Sequence, residues 1–170
     1  MLATSILLFA LAAVGLADVP AGYKTVYLTS KVDAKLAIVP KTAVAGSIIQ
    51  VQTLASTPAQ QWYLKEGNSS IQLAGSTLCL DGGAKSNWKD MGSVVVETCD
   101  ATSVSQVWNV MADGRIALAP SSPQECLDLQ YMKDAPGTTV GIYSCAGLNN
   151  VGAADKGINW PQVAVNATAV

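Results

Sequence analysis

Two aspartates stand at the end of the same tripeptide in different parts of the chain. They are Asp81 in Cys79-Leu80-Asp81 and Asp128 in Cys126-Leu127-Asp128, 47 residues apart (128 minus 81). An ionised carboxylate forms charge-assisted hydrogen bonds, which are stronger than neutral ones. Each aspartate could hold the hydroxyl groups of a ligand, or the two could serve together as acid and base in hydrolysis.

The composition argues against several other chemistries. The 170 residues include no histidine, and the net charge is −2. Without histidine the chain lacks the usual general base and the commonest metal ligand, so we expect no metal and no cofactor. Nucleic-acid binding needs clustered Lys and Arg, which this sequence does not have, so we expect no nucleic-acid partner.

A second motif indicates that the chain is built from repeats. Its copies are Gln60-Gln61-Trp62, Gln106-Val107-Trp108 and a degenerate Ile158-Asn159-Trp160. The tryptophans lie 46 residues (108 minus 62) and 52 residues (160 minus 108) apart, and a period in this range indicates one supersecondary unit used several times. The predicted units span roughly residues 23–68, 69–114 and 115–165.

Short apolar runs between clusters of turn residues predict the fold class. Twelve such runs follow residue 24, and none has a helical period. Many short strands at even spacing indicate a closed all-β fold, and three units of four strands predict a β-trefoil. We expect a tryptophan from each unit to fill the shared centre of the barrel, while the glutamine of its motif ties a loop backbone to the core.

The four cysteines follow the same repeat. Four cysteines allow three pairings. Cys79 and Cys99 are 20 residues apart (99 minus 79), Cys126 and Cys145 are 19 apart (145 minus 126), and each pair brackets the same internal pattern. The repeat therefore predicts the disulfides Cys79–Cys99 and Cys126–Cys145, which suit an oxidising compartment.

The first 17 residues have the features of a secretory signal peptide. Ile6–Leu16 is an apolar run too short to span a bilayer, and Gly15 and Ala17 supply small residues three and one positions before the expected cleavage point. We expect a secreted, extracellular protein without a membrane span, with a single domain over residues 18–170.

These motifs together resemble the repeat of ricin-B-type lectins. Cys-Leu-Asp, a turn glycine with a β-branched strand, a second cysteine and Gln-x-Trp follow one another over essentially the whole chain after residue 17. The resemblance implies a β-trefoil that binds carbohydrate, galactose-type sugars above all, at up to three shallow pockets without catalysis. It also implies that the aspartate accepts hydrogen bonds from two sugar hydroxyls. An aromatic ring two residues before the second cysteine packs on the sugar, and a polar residue just before Gln-x-Trp completes the pocket.

The third unit matches this pattern best. It has Asp128, and Tyr143 stands two residues before Cys145. The polar group is left open among three asparagines, which are Asn149, Asn150 and Asn159. We predict one competent sugar site, in this unit.

The other two units depart from the pattern. The second keeps Asp81 but has Glu97 in the place of the ring, for which Trp88 is a possible substitute. The first aligns Leu36 and Leu54 with the cysteines and Ile38 with the aspartate, so we predict no sugar site there.

Alternative interpretations stay open at this point. Asp81 and Asp128 could instead bond backbone amides in tight turns, and Tyr143 could be an ordinary strand residue. The chain could be a trefoil with decayed sugar sites that binds proteins, for example as a protease inhibitor. Catalysis is disfavoured because equivalent aspartates of different units lie far apart. The triplets Asn68-Ser69-Ser70 and Asn166-Ala167-Thr168 are potential N-glycosylation sites, and nothing in the sequence sets the oligomeric state.

Overall fold

The computed structural model describes residues 19–145 and 155–165, and this part of the chain is all-β. Its fourteen strands are β1 Lys24–Leu28, β2 Leu36–Pro40, β3 Ser47–Thr53, β4 Trp62–Leu64, β5 Gly67–Ser69, β6 Gln72–Leu73, β7 Leu78–Asp81, β8 Gly92–Ser93, β9 Val95–Thr98, β10 Trp108–Val110, β11 Ile116–Leu118, β12 Glu125–Leu129, β13 Val140–Ser144 and β14 Gln162–Ala164. Four 3-10 helices accompany them, at Pro58–Gln60, Lys85–Asn87, Val104–Gln106 and Gln130–Met132. Each of these helices has three residues, far too few to traverse a lipid bilayer.

Six strand positions close into a barrel, and the short strands β5 and β6 together occupy one of them. β1 pairs with β4 and with β14, β6 pairs with β4, and β5 pairs with β10. β11 pairs with β10, and a bridge between Arg115 and Asn159 links it to the segment before β14. The first strand of each unit thus joins the fourth strand of its own unit to the fourth strand of the unit before it, and closure leaves no open sheet edge in this ring.

Three hairpins cover one end of the barrel. They are β2–β3, β7–β9 and β12–β13, and they contact one another through β3–β9, through β8–β13 and through a bridge between Gln50 and Thr139. Barrel and cap therefore repeat the same pairing three times, and the predicted β-trefoil is confirmed. β5 was not among the predicted strands, because its sequence Gly67-Asn68-Ser69 is typical of a turn.

The three tryptophans occupy equivalent places in the core. Trp62, Trp108 and Trp160 are fully buried. Their indole N–H groups donate to the carbonyl oxygens of Ile38, Leu80 and Leu127 at 3.0, 3.0 and 2.9 Å. Each large ring therefore fills the centre without leaving its donor unpaired.

This equivalence corrects the alignment of the first unit. Ala37 pairs with Gln52 in β2–β3, as Cys79 pairs with Glu97 and Cys126 with Tyr143 in the other two hairpins. Ala37 rather than Leu36 takes the place of a cysteine, and by the same register Val39 rather than Ile38 takes the place of the aspartate. The sequence alignment was wrong by one residue because it counted back from Gly46 across a turn whose length differs between units.

Both predicted disulfides are confirmed. Cys79 bonds Cys99 and Cys126 bonds Cys145, with Cα–Cα distances of 4.9 and 5.1 Å. Each bridge fastens the open end of one hairpin. A cross-link of this loop length stabilises a fold by about 3 kcal/mol in the chain-entropy model.

Candidate functional site

The β12–β13 hairpin presents two of the predicted site residues on one face. Leu127 and Ile142 face each other, are fully buried and point to the core. The flanking pairs, Cys126 with Tyr143 and Asp128 with Gly141, point to the other side because side chains alternate along a strand. Asp128 and Tyr143 are thus diagonal neighbours, and the Cβ atoms of such a pair are somewhat less than roughly 7–8 Å apart. The Tyr143 side chain is 37% exposed, so its ring is open to a ligand.

The Asp128 carboxylate has no partner inside the described part of the protein. The residue is only 8% exposed, yet within residues 19–145 and 155–165 no side chain or backbone N–H donates to it. A buried carboxylate without donors is costly. Any ligand that brings hydrogen-bond donors to this position would relieve that cost.

A second aspartate lies beside Asp128. A Cβ atom on Gly157 would stand 2.8 Å from Oδ1 of Asp128 and 3.3 Å from Oδ1 of Asp155, so only glycine leaves room for both carboxylates. Asp155 is itself buried, and its Oδ1 accepts the N–H of Gly157 at 3.0 Å. No third metal-binding side chain joins the pair within the described ranges.

These surroundings change the proton affinity of Asp128. Burial, followed by the negative charges of Asp155 and then of Asp90, together raise its pKa to about 6. Asp90 is exposed, and its Oδ1 accepts the N–H of Ser144 at 2.8 Å, which brings it to the end of β13. The site is therefore acidic on two sides.

Sequence reasoning missed Asp155, Asp90 and Gln130 as parts of this region. The Gln130 amide nitrogen would be 2.9 Å from a Cβ on Gly141, and the carbonyl oxygen of Gly92 would be 2.5 Å from it. Gln130 therefore lies over the Gly141 position, on the face that carries Asp128. The glycine inside the strand was the available signal, because such a residue often marks a close approach of another group.

The second unit uses its aspartate differently. Asp81 is as buried as Asp128, but its Oδ1 accepts the N–H of Gly83 at 2.7 Å and its Oδ2 accepts the Gln106 amide at 3.0 Å. The same amide also donates to the Thr98 carbonyl at 3.0 Å. Asp81 is thus held inside the protein by the glutamine of the Gln-x-Trp motif.

The aromatic substitute in the second unit is also tied to this loop. Glu97 is opposite Cys79, where Tyr143 is opposite Cys126. Trp88 donates its indole N–H to the Gly83 carbonyl at 3.1 Å and packs, half-buried, against the core. The structure places Trp88 beside the Asp81 turn, but as an anchored side chain.

The first unit contains a groove without a carboxylate. Val39 and Gln52 occupy the places of the aspartate and the ring, and both line a cavity of about 560 Å³. Gln60 accepts the Ala55 N–H at 2.8 Å and donates to the Thr53 carbonyl at 2.9 Å, a loop-fastening role that matches the prediction for the motif.

Asn159 contacts the turn between β10 and β11. Its amide donates to the Asp113 carbonyl at 2.6 Å, and its backbone bridges Arg115. This side chain is therefore committed to the turn before β11. The other two asparagine candidates, Asn149 and Asn150, lie outside the described residues.

Comparison with known proteins agrees with this architecture. A family model described as a ricin-type beta-trefoil lectin domain-like unit matches residues 58–143. No curated protein sequence matches the chain significantly. Similar solved structures include the designed threefold symmetric protein ThreeFoil, at 19% identity and a TM-score of 0.67, with 82% of this chain and 97% of that one covered.

Two natural lectins resemble the chain to a similar degree. The earthworm R-type lectin C-half, solved with GalNAc, has 15% identity and a TM-score of 0.63 over 83% of this chain and 98% of its own. The β-trefoil lectin of the Vibrio vulnificus hemolysin/cytolysin, solved with N-acetyl-D-lactosamine, has 15% identity and a TM-score of 0.64 over 88% of this chain and 100% of its own. At these identities the likeness establishes the fold.

Proposed function

The chain belongs to the ricin-type β-trefoil lectin-like family, and we propose that it binds carbohydrate without catalysis, at one site in its third unit. The observation that carries this proposal is the Asp128 carboxylate, which no donor of the described residues occupies and which shares its hairpin face with the exposed Tyr143 ring. A floor that accepts hydrogen bonds next to an aromatic wall is the chemistry a pyranose requires.

The two groups act on different parts of the sugar. Asp128 accepts hydrogen bonds from two adjacent hydroxyls, and charge assistance makes these bonds stronger than those of neutral acceptors. The Tyr143 ring covers the apolar C–H face, so the gain there comes from apolar area removed from water. We propose a galactose-type sugar as the ligand, in keeping with the family.

One shallow site sets a modest affinity. We expect dissociation constants between about 1 mM and about 100 μM, which correspond to about −4 to −5.5 kcal/mol. Efficient cell agglutination would require self-association, because linked sites add avidity that a single site does not have.

A glycan array is the direct test. Wild-type protein should give a signal on galactose-terminated glycans that disappears in Asp128→Ala, while Asp81→Ala retains it. Signal that persists in Asp128→Ala would place the site elsewhere, and silence across the array would overturn the proposal.

The second candidate function is a protein-binding trefoil with decayed sugar sites, such as a protease inhibitor. It is favoured by the second unit, where Gly83 and Gln106 already occupy Asp81. Array silence together with inhibition of a protease panel would support it. An enzyme is not favoured, because Asp81 and Asp128 belong to different hairpins and each has a separate environment.

We also propose that the protein is secreted and glycosylated. Residues 1–17, the expected signal peptide, lie outside the described residues. The two intramolecular disulfides fit an oxidising compartment. Asn68 is exposed on β5, a position accessible to a glycan, whereas Asn166 lies outside the described ranges. N-terminal sequencing of secreted protein and a mass shift lost in Asn68→Gln would test these points.

A further inference from the structure

Asp155 is a buried acid for which sugar binding through Asp128 and Tyr143 gives no role. It is 7% exposed, and its Oδ1 and the Oδ1 of Asp128 both lie within 3.3 Å of the point that a Cβ on Gly157 would occupy. Its own hydrogen bond, from the Gly157 N–H, holds this Oδ1 beside Gly157. The two acids therefore form one unit on either side of Gly157.

No cation of the described protein neutralises this unit. Lys133 and Lys156 lie on the flanking segments, but the ion pairs of residues 19–145 and 155–165 involve neither of them. Asp90, on the far side, adds a further negative charge that acts on Asp128. Asp128 as a residue is only 8% exposed, its carboxylate accepts no hydrogen bond from the described residues, and its Oδ1 points into the space beside Gly157.

Two adjacent carboxylates distinguish between neutral and cationic ligands. A hydroxyl group offers one donor and no charge, whereas an ammonium group offers three donors and a positive charge. Bonds between two ionised groups in a largely buried site are stronger than bonds from a neutral donor. The pair thus favours a sugar that carries an amine next to its hydroxyls.

We propose that the third-unit site selects amino sugars with a free, protonated amine, and that Asp155 is the residue that confers this selectivity by facing Asp128 across Gly157. The inference rests on the proposed function, because the amino sugar lies against the same carboxylate and the same Tyr143 ring. Acidic sugars, such as sialic or uronic acids, are disfavoured for the same electrostatic reason.

Titration calorimetry or NMR titration at pH 7 tests the preference with six monosaccharides: galactose, galactosamine, N-acetylgalactosamine, and the three glucose counterparts. Within at least one series, the wild-type protein should bind the free amine about tenfold tighter than the neutral sugar and its acetylated form. Acetylation converts the amine to a neutral amide of similar position, so it separates charge from shape.

A matched pair of variants locates the effect. Asp155→Asn keeps an oxygen acceptor for the Gly157 N–H but removes the charge, so the amine preference should fall below about threefold. Asp134→Asn removes a charge from an exposed position six residues after Asp128 in the sequence (134 minus 128) and should leave the preference intact. Unfolding midpoints of both variants establish that the fold is retained.

The outcomes separate the two proposals. If the wild-type protein binds amine and neutral sugars equally, and this binding is lost in Asp128→Ala, the amino-sugar inference is overturned and the proposed function is supported. An amine preference that survives in Asp155→Asn overturns the role of Asp155. Absence of binding to all six sugars overturns both proposals.

Discussion

The second and third units carry the same aspartate at the same strand position and surround it in opposite ways. Asp81 accepts one hydrogen bond from the Gly83 N–H and one from the Gln106 amide. Asp128 has neither: Ile158 replaces the glutamine and packs with the Cys126–Cys145 disulfide, and the Gln130 N–H, which stands where the Gly83 N–H stands, donates to the Thr139 carbonyl at 3.2 Å instead. The two carboxylates are equally buried, so the difference lies in their donors.

This contrast shows that an aspartate in the motif is not enough to make a sugar site. A carboxylate that the protein already satisfies would have to exchange good internal bonds for bonds to a ligand, with little net gain. A carboxylate that no internal donor holds exchanges only water for the ligand's hydroxyls, so its net gain is larger. In the third unit, isoleucine at the place of that glutamine leaves the acceptor free of this internal bond.

The sharpest way to break the comparison is to remove each aspartate in turn. Asp128→Ala should weaken sugar binding at least about a hundredfold, because two charge-assisted hydrogen bonds of about 1.5–3 kcal/mol each are lost. Asp81→Ala should leave sugar affinity within about twofold and should lower the free energy of unfolding by about 1–3 kcal/mol, since Gln106 loses a buried acceptor. Calorimetric titration and urea unfolding measure both effects, and equal loss of affinity in the two variants would refute the asymmetry.

The same comparison predicts a pH dependence of stability. The pKa of Asp128 is raised in the folded state from 3.8 to about 6. The folded state therefore holds the proton more tightly than the unfolded state. The stabilisation is present in full below about pH 4 and is lost as the pH rises through about 6. At 1.36 kcal/mol per pKa unit, the upper limit of the effect is about 3 kcal/mol.

Urea unfolding of the wild-type protein and of Asp128→Asn at pH 5 and pH 8 checks this prediction. The variant should be the more stable of the two at pH 8 and should show a smaller difference between the two pH values. Burial and the Asp90 charge also raise the pKa of Glu125, which adds a contribution of the same sign that both proteins retain. A pH dependence identical in both proteins would contradict the assignment to Asp128.

The repeat in the sequence was sufficient to predict the fold and the two disulfides. Gln-x-Trp and Cys-Leu-Asp mark positions that symmetry makes equivalent, so the place of a tryptophan in one unit predicts the places of the tryptophans in the other two. Tyr143 could be located because it is a fixed two residues before Cys145, on the same strand. Counting failed only in the first unit, where a loop of different length separates Gly46 from β2.

The close surroundings of Asp128 could not be predicted in the same way. Asp155 and Asp90 act on Asp128 from a loop and a turn that have no equivalents in the other units. The sequence separation of either residue from Asp128 does not indicate that they are close in space. The importance of Ile158 was also hidden, because the sequence suggested only a degenerate motif, whereas its effect is to deprive Asp128 of the amide donor that Gln106 gives Asp81. Such effects arise from packing between segments and need coordinates.

A glutamine at position 158 should make the surroundings of Asp128 resemble those of Asp81. Ile158→Gln places an amide where Gln106 reaches Asp81, so the Asp128 carboxylate gains an internal donor and sugar affinity should fall about tenfold. The matched change in the second unit, Gln106→Ile, should leave sugar affinity unchanged and reduce stability. If Ile158→Gln folds normally and binds sugar as tightly as the wild-type protein, the internal donor is not what separates the two units.

The smallest expected effect concerns the aromatic wall. Tyr143→Ala removes the ring that packs on the sugar face and should weaken binding about three- to tenfold, because such contacts contribute about 0.5–1.5 kcal/mol. Tyr143→Phe should keep most of the affinity, since the contact is made by the ring and not by the hydroxyl.

In the second unit the matched change is Glu97→Tyr, which supplies a ring but leaves Asp81 bonded to Gln106 and Gly83, so no second site should appear. A stoichiometry of two sugars per chain in Glu97→Tyr would show that the ring, rather than the free carboxylate, is the deciding element.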